Sequence, residues 1–204
     1  MSKGRIISQA IFRIVFVSLT FAIVGLNVKA ADFVVDKAVS TVKWEAKKVT
    51  GKHNGTISIA SGLLNTGASG ITGGTLVIDM KSIVDVDLTD AGYNAKLIGH
   101  LKSDDFFGAD KFPESSLVVK NVSLVSGNEY KFLGDLTIKG VTNPIGFTAK
   151  VSLKGDKLNA EGTMTINRAK YGVKYGSSSF FENLGDKVIY DDFTLEFNLT
   201  AVKK

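Results

Sequence analysis

Apolar and polar residues alternate with a period of two along most of the chain from Val42 onward. In the first run Val42, Trp44 and Ala46 share one face, and charged residues occupy the other. Such alternation predicts β-strands with one buried side. It recurs in five further runs, whose apolar faces carry Leu76, Ile78 and Met80; Tyr130, Phe132, Leu136 and Ile138; Ile145, Phe147, Ala149, Val151 and Leu153; Leu158, Ala160, Met164 and Ile166; and Phe193, Leu195, Phe197 and Leu199.

Short glycine-containing segments separate these runs. Gly127-Asn128 and Gly155-Asp156 each predict a two-residue hairpin, so neighbouring strands should pair antiparallel. Residues 117–125 are apolar on both faces in part, which favours a strand covered on both sides. Because about eight half-buried strands need closure to remove their edges, the pattern predicts an all-β fold, an antiparallel barrel.

A short helix is predicted in the first of two interruptions of this pattern. Thr89 or Asp90 is placed to cap it, and Tyr93, Leu97 and Leu101 follow at four-residue spacing on one face. His100, near its end, is expected to cap the last carbonyl groups.

The second interruption, residues 167–187, is a long loop rich in aromatic residues. It contains Tyr171, Tyr175 and the pair Phe180-Phe181. Loops of this length inside a compact domain are usually functional or disordered, and the aromatic content argues against disorder. We therefore predict that this loop lies at the mouth of the barrel, where an amphipathic tyrosine suits the boundary between apolar interior and water.

A second aromatic pair, Phe106-Phe107, stands in a charged stretch and is followed by Phe112. Leaving a phenylalanine ring in water forfeits roughly 2 kcal/mol. Such pairs should therefore cover a core edge, a partner or a bound lipid.

The interior of the barrel is predicted to be either hollow or filled. Small residues share the apolar parity, and they either leave room for a ligand or merely accommodate large rings opposite them. The aromatic pairs favour a cavity with a covered mouth. The small inward positions are Ala46, Gly55, Gly134, Ala149, Ala160, Gly162 and Ala201.

The first 30 residues read as a secretory signal peptide. Basic residues precede an apolar run from Ile14 to Leu26, and Val28-Lys29-Ala30 resembles a cleavage site. The run is too short for a membrane-spanning helix. Residues 1–30 hold four Lys and Arg and no Asp or Glu, so the formal charge falls from +5 to +1 for residues 31–204, the predicted mature domain. A near-neutral domain gives no reason to expect a nucleic-acid partner.

Neither catalysis nor a metal site is predicted. The chain has no cysteine and two histidines, whereas a zinc site wants three or four protein ligands. No Gly-x-Ser-x-Gly motif is present. Asp104-Asp105 and Asp191-Asp192 are adjacent pairs whose side chains should diverge, and they read as solvated loop charges.

Three polar or amphipathic residues remain candidates for contact with a ligand. Arg168, at the start of the long loop, could offer a cation near the mouth or form only a surface ion pair. His53 shares the inward parity, where it could contact a lipid headgroup or be satisfied within the protein. Trp44, in the middle of the first strand, is expected inside, against ligand or core.

Several ordered motifs resemble the signatures of the YceI-like family: residues 100–107 with Lys111-Phe112-Pro113, residues 134–144, and residues 166–172, while residues 51–55 are similar to one branch of that family. The resemblance covers about Asp32 to Val202. It implies a lipocalin-like extended barrel, exported to the periplasm or beyond, that binds a polyisoprenoid or similar long-chain lipid, often as a homodimer. No cofactor other than that lipid is implied.

The resemblance and the residues together predict a non-catalytic lipid-binding protein. The ligand-contacting candidates are Trp44, His53, Phe106, Phe107, Phe112, Arg168, Tyr171, Tyr175, Phe180 and Phe181. The main alternative is a filled barrel that uses Phe106-Phe107 and Phe180-Phe181 as a partner or dimer surface. A transmembrane barrel is a weaker alternative, because the chain lacks aromatic girdles.

Overall fold

The computed structural model describes residues 30–68 and 70–204. The predicted signal peptide, apart from Ala30, lies outside these residues. The described part of the chain forms one α-helix, α1 (Ala91–Lys102), two short 3₁₀ turns (Arg168–Tyr171 and Gly185–Lys187) and nine strands: β1 (Ala31–Val35), β2 (Thr41–Lys48), β3 (Gly51–Gly67), β4 (Gly70–Asp85), β5 (Glu114–Ser126), β6 (Glu129–Ile138), β7 (Val141–Lys154), β8 (Lys157–Asn167) and β9 (Ile189–Lys203).

The strands form a closed antiparallel barrel, as the alternating pattern predicts. Each strand from β3 to β9 pairs with the next, and β2 closes the wall by pairing with both β3 and β9. β1 also pairs with β3 and β9, at Leu63–Thr66 and Ala201–Lys203, beyond the stretch occupied by β2. β1 and β2 therefore occupy one strand position in the wall, and the barrel has eight strand positions.

The two hairpins predicted from glycine dipeptides are confirmed. Ser126 pairs with Glu129 around Gly127-Asn128, and Lys154 pairs with Lys157 around Gly155-Asp156. In both turns the glycine has a positive φ, as type II′ turns require at their first central position. The turn between β6 and β7 was not predicted, and there Lys139 itself has a φ of 51°.

The predicted helix is present as α1, and Asp90 is its cap. The Asp90 side chain accepts a hydrogen bond from the backbone N–H of Tyr93. Leu101 is buried, but Tyr93 is exposed, so the predicted common face was wrong at its first position. In the part of the chain that the structure describes, no helix combines the length and apolar character needed to cross a membrane.

The prediction that β5 is covered on both sides was wrong. Val118 and Val125 are exposed on the outside of the barrel, and Leu124 is exposed near the hairpin end of the strand. Among the described residues β5 packs mainly with its neighbours β4 and β6, and α1 contacts β4. Apolar residues on the outer face of β5 therefore do not indicate a second layer.

Antiparallel alternation gives the barrel two different ends. The hairpin end carries the β3–β4, β5–β6 and β7–β8 turns. The helix end carries α1, the β2–β3 and β6–β7 turns and the long β8–β9 loop. β3 has 17 residues and β4 has 16, so the wall between these ends extends roughly 50 Å at about 3.3 Å per residue.

Candidate functional site

An apolar cavity of about 370 Å³ extends along the barrel interior. Its wall includes Leu64 and Ile71 towards the hairpin end, and Ile83, Leu97 and Arg168 at the helix end. Ala149 and Ala160, predicted to leave room, line it nearer the hairpin end. The volume lies within the range of ligand pockets, roughly 300–1,000 Å³. The barrel is therefore hollow at its centre rather than filled.

Aromatic rings on β6, β7 and β9 line the middle of the cavity. Phe132 and Phe147 stack with ring centroids 5.1 Å apart, and Phe197 meets Phe147 edge-on at 5.9 Å. A side chain at Gly162 would begin 2.9 Å from the Phe197 ring. Some predicted small inward positions therefore accommodate rings, as the alternative interpretation held, while the two alanines open the cavity.

The cavity opens at the helix end, at a mouth bordered by Lys47, Lys48, Leu97, His100 and Tyr190. Lys47, Lys48 and Tyr190 are exposed to solvent, whereas Leu97 and His100 are half-buried. The mouth is thus amphipathic, and its charged border residues are both lysines.

Phe106 and Phe107 form the inner surface of the segment after α1. Phe106 is 6% exposed, and both rings line the cavity in edge-on contact at 5.3 Å. Backbone N–H groups of the pair donate to Ser103 and Leu101. Lys139 adds a second anchor, because its Nζ donates to the carbonyl groups of Asp104 at 2.7 Å and Phe106 at 2.8 Å.

Trp44 lines the cavity from β2, and Gly55 on β3 makes room for it. The indole N–H donates to the carbonyl group of Val84 at 3.1 Å. A Cβ atom at Gly55 would lie 1.8 Å from that same carbonyl oxygen and 2.8 Å from the indole ring. Glycine is therefore required there, and Trp44 is held in one orientation.

Arg168 lines the cavity, but its N–H groups donate hydrogen bonds to backbone carbonyl groups. Its guanidinium donates to the carbonyl groups of Val173, Ile189 and Tyr190 at 3.1, 2.9 and 3.2 Å. It is 2% exposed, and burial lowers its pKa, an effect that the nearby Asp191 carboxylate opposes. Of the two alternatives predicted for Arg168, a surface ion pair was wrong.

Asp191 is the buried partner of Arg168, not the solvated charge predicted from sequence. Its Oδ1 lies 3.3 Å from Nη2 of Arg168, an ion pair without hydrogen-bond alignment, and its Oδ2 accepts a 2.6 Å hydrogen bond from Ser179. The guanidinium also lies over the Phe106 ring at 5.3 Å. Arg168 therefore joins the long loop to the aromatic wall.

His100 does not cap α1, so that prediction was wrong. The cap is Ser103, whose hydroxyl and N–H both donate to the His100 carbonyl group. The imidazole instead meets the rings of Phe106 and Tyr175 edge-on, at 5.6 and 4.3 Å. It is a cavity residue that sequence reasoning missed, although its place before the aromatic pair was a signal.

Five of the ten predicted ligand contacts line the cavity: Trp44, His53, Phe106, Phe107 and Arg168. The other five do not. Tyr171 is buried, and that burial raises its pKa; it packs with Leu136 and Met164 behind the cavity wall. Phe112 lies against Gly140, while Tyr175, Phe180 and Phe181 are exposed.

His53 lies close to two residues that were not predicted as part of the site, Asp85 and Asp87. Its Nδ1 lies 3.1 Å from Oδ2 of Asp87 and 3.9 Å from Oδ2 of Asp85. These three side chains form a group beside the mouth. The sequence separation of 34 positions between His53 and Asp87 concealed it.

Polar groups are sparse on the cavity wall. Ser115 is buried there, and its Oγ has no hydrogen-bond partner among the described residues. A closed antiparallel barrel with an apolar interior cavity and an amphipathic mouth defines a binding protein of the lipocalin-like class.

The chain belongs to the YceI-like family: the model of the YceI-like domain matches residues 33–201. A UPF0312 protein of Staphylococcus aureus strain USA300 is 42% identical over 86 residues, which cover 39% of this chain and 47% of that protein. The match thus spans about half the length of the relative.

Solved structures share the fold. Burkholderia cenocepacia BcnA superposes with a TM-score of 0.65 at 24% identity, covering 82% of this chain and 99% of BcnA. A polyisoprenoid binding domain from Saccharophagus degradans gives 0.61 at 15% identity, covering 84% and 98%. A Campylobacter jejuni YceI protein gives 0.55 at 21% identity, covering 72% and 81%.

Proposed function

We propose that this protein binds a polyisoprenoid or another long-chain lipid in its barrel and performs no catalysis. The apolar cavity between the two ends carries the proposal. Each methylene group moved from water into such a cavity gains about 0.8 kcal/mol. The polyisoprenoid binding named for the Saccharophagus degradans domain supports the same ligand class.

The mouth favours a ligand with a polar or anionic end. Lys47 and Lys48 border it, and no Asp or Glu is among the described residues that line the cavity. Ser115 offers an unpaired buried hydroxyl group on the wall, where a ligand could restore a hydrogen bond. The long chain would lie along the interior, with its polar end towards the lysines.

The first test is mass spectrometry of an organic extract of the exported protein, purified without detergent. We expect a stoichiometric long-chain lipid. The second is uptake of a fluorescent prenyl probe by the delipidated protein and by Ala160→Phe, which places a ring in the cavity. Thr163→Phe, on the outer face of the same strand, is the matched control.

Uptake lost in Ala160→Phe and kept in Thr163→Phe would support an interior site. Protein that carries no lipid and takes up no probe would reject the proposal. Uptake equal in both variants would place the probe outside the barrel.

The filled-barrel alternative fits the described residues less well. It requires Phe106-Phe107 on the surface, but Phe106 is buried and both rings face the cavity. Phe180 and Phe181 remain exposed, so a homodimer that uses them stays a prediction, which sedimentation of Phe181→Asp would test. Export to the periplasm is part of our proposal and is tested by fractionating cells that express the whole chain.

A further inference from the structure

Three side chains with metal-binding atoms meet beside the mouth: His53 on β3 and, at the end of β4 and just after it, Asp85 and Asp87. One ligand atom from each lies within 4.8 Å of the other two. The distances from Nδ1 of His53 to the two Oδ2 atoms are 3.1 Å for Asp87 and 3.9 Å for Asp85. Tetrahedral ligands of Zn²⁺ stand about 3.4 Å apart, given bonds of about 2.1 Å.

Each carboxylate is oriented through its other oxygen. Oδ1 of Asp85 accepts hydrogen bonds from the N–H of Leu88 at 2.9 Å and from the Asn94 amide at 3.2 Å. Oδ1 of Asp87 accepts one from the N–H of Asn54 at 3.0 Å. Both Oδ2 atoms are thereby left for the cluster, as in metal sites whose ligands are fixed by outer hydrogen bonds.

Oδ2 of Asp85 is buried and has no donor. Asp85 is 7% exposed, and no described residue donates a hydrogen bond to this oxygen. A buried carboxylate oxygen without a partner is costly and rare. Because this orphan oxygen faces His53 and Asp87, it is an observation independent of the clustering itself.

Little positive charge compensates the cluster. Glu45 and, to a smaller extent, Asp87 raise the pKa of Lys52, but Lys52 forms its ion pair with Glu45. Within residues 30–68 and 70–204, no Lys or Arg lies within 4.0 Å of either carboxylate. Burial, followed by interaction with Asp87, raises the pKa of Asp85. Burial acts the same way on Asp87, but hydrogen bonds from Asn54, Asp85 and His53 outweigh it and lower the pKa of Asp87.

We propose that His53, Asp85 and Asp87 bind a divalent transition-metal ion of the Zn²⁺ type. An imidazole nitrogen favours Zn²⁺ over Mg²⁺ and Ca²⁺, which prefer oxygen ligands alone. Three protein ligands leave one coordination position for water or another group. The ion supplies the charge that the carboxylates lack and the partner that Oδ2 of Asp85 lacks.

The ion would link β3 to the end of β4 and, through Asn94, to the first turn of α1. It would therefore secure the helix over the rim of the barrel. This role does not depend on lipid binding.

The test is calorimetric titration of the chelator-treated protein with ZnCl₂ near neutral pH, with MgCl₂ in parallel. We expect saturable binding of one Zn²⁺ per chain and no comparable Mg²⁺ binding. His53→Ala and Asp87→Asn should each weaken Zn²⁺ binding by about tenfold or more, the scale of lost metal ligation. His100→Gln is the control, because it removes the other cavity histidine and leaves the cluster intact.

Circular dichroism establishes that each variant is folded, and Asp87→Asn is informative even if His53→Ala unfolds, because Asp87 is exposed. Absence of Zn²⁺ binding would overturn the proposal and leave a proton on Asp85 as the partner of its orphan oxygen. Zn²⁺ binding that survives both substitutions, or that disappears in His100→Gln, would overturn it as well.

Discussion

The hairpin end and the helix end of this barrel are built from the same alternating strands but are closed in different ways. At the hairpin end, two-residue turns join the strands, and buried apolar side chains such as Phe33, Val151 and Leu158 fill the interior. At the helix end, long segments are held by side chains that reach backbone carbonyl groups, chiefly those of Arg168 and Lys139. Apolar burial closes one end, and polar anchors shape the other around an opening.

The largest effect is expected at the helix end, from Arg168→Met. This change removes three hydrogen bonds to carbonyl groups and leaves Asp191 buried without its partner. Breaking a buried pair in this way costs about 3–5 kcal/mol of unfolding free energy. Urea denaturation measures it.

Lys43→Met is the control for Arg168→Met. It breaks the exposed pair with Glu196, whose charged atoms are 3.9 Å apart, and should leave stability unchanged. An Arg168→Met protein as stable as this control but unable to take up a prenyl probe would show that Arg168 serves the ligand instead.

Truncating a phenylalanine should cost more in the middle of the barrel than at the helix end. Phe132 is 4% exposed and stacked, so Phe132→Ala should cost about 3–5 kcal/mol. Phe107 is half-buried against the cavity, and Phe107→Ala should cost about 1–2 kcal/mol, because part of its surface is not covered by protein. Denaturation of the lipid-free variants measures both, and equal costs would contradict a hollow helix end.

Lys139→Met should loosen the aromatic segment after α1. Its Nζ is a charged donor to two carbonyl groups, and the loss should cost about 1–2 kcal/mol. Hydrogen exchange should accelerate at residues 103–112. Lys111→Met is the control, since the Lys111 side chain pairs with the exposed Asp104 carboxylate. Unchanged exchange in Lys139→Met would refute the anchor.

Sequence reasoning succeeded where the determinants are local. Alternation placed Phe132, Phe147 and Phe197 inside, and glycine dipeptides placed two turns, because strand facing and turn type depend on a few adjacent residues. The prediction that β5 is covered on both sides was wrong, because apolar residues on an outer face do not show whether another layer covers that face.

The helix end was predicted less well because its contacts are distant in sequence. Arg168 meets carbonyl groups 21 and 22 positions away, and His53 meets Asp87 across 34. The register between β3 and β4 also shifts between Thr56 and Ser58 and again between Ile59 and Ser61. Each such bulge changes which residues of β3 and β4 are neighbours. The alternation of apolar and polar residues therefore could not predict that His53, Asp85 and Asp87 are close together.

The smallest effect on the free energy of unfolding is expected from replacing a glycine by alanine, once at each end of the barrel. Gly127, in the β5–β6 turn, has a φ of 53°, and an added Cβ would meet nothing within 4 Å. Gly127→Ala should therefore cost about 1 kcal/mol, entirely from the left-handed backbone. Gly99, in α1, is equally free of contacts but helical, so Gly99→Ala should stabilise by about 0.5–1 kcal/mol. Thermal unfolding of the two variants should shift in opposite directions, and a shared direction would mean that backbone conformation does not decide the sign.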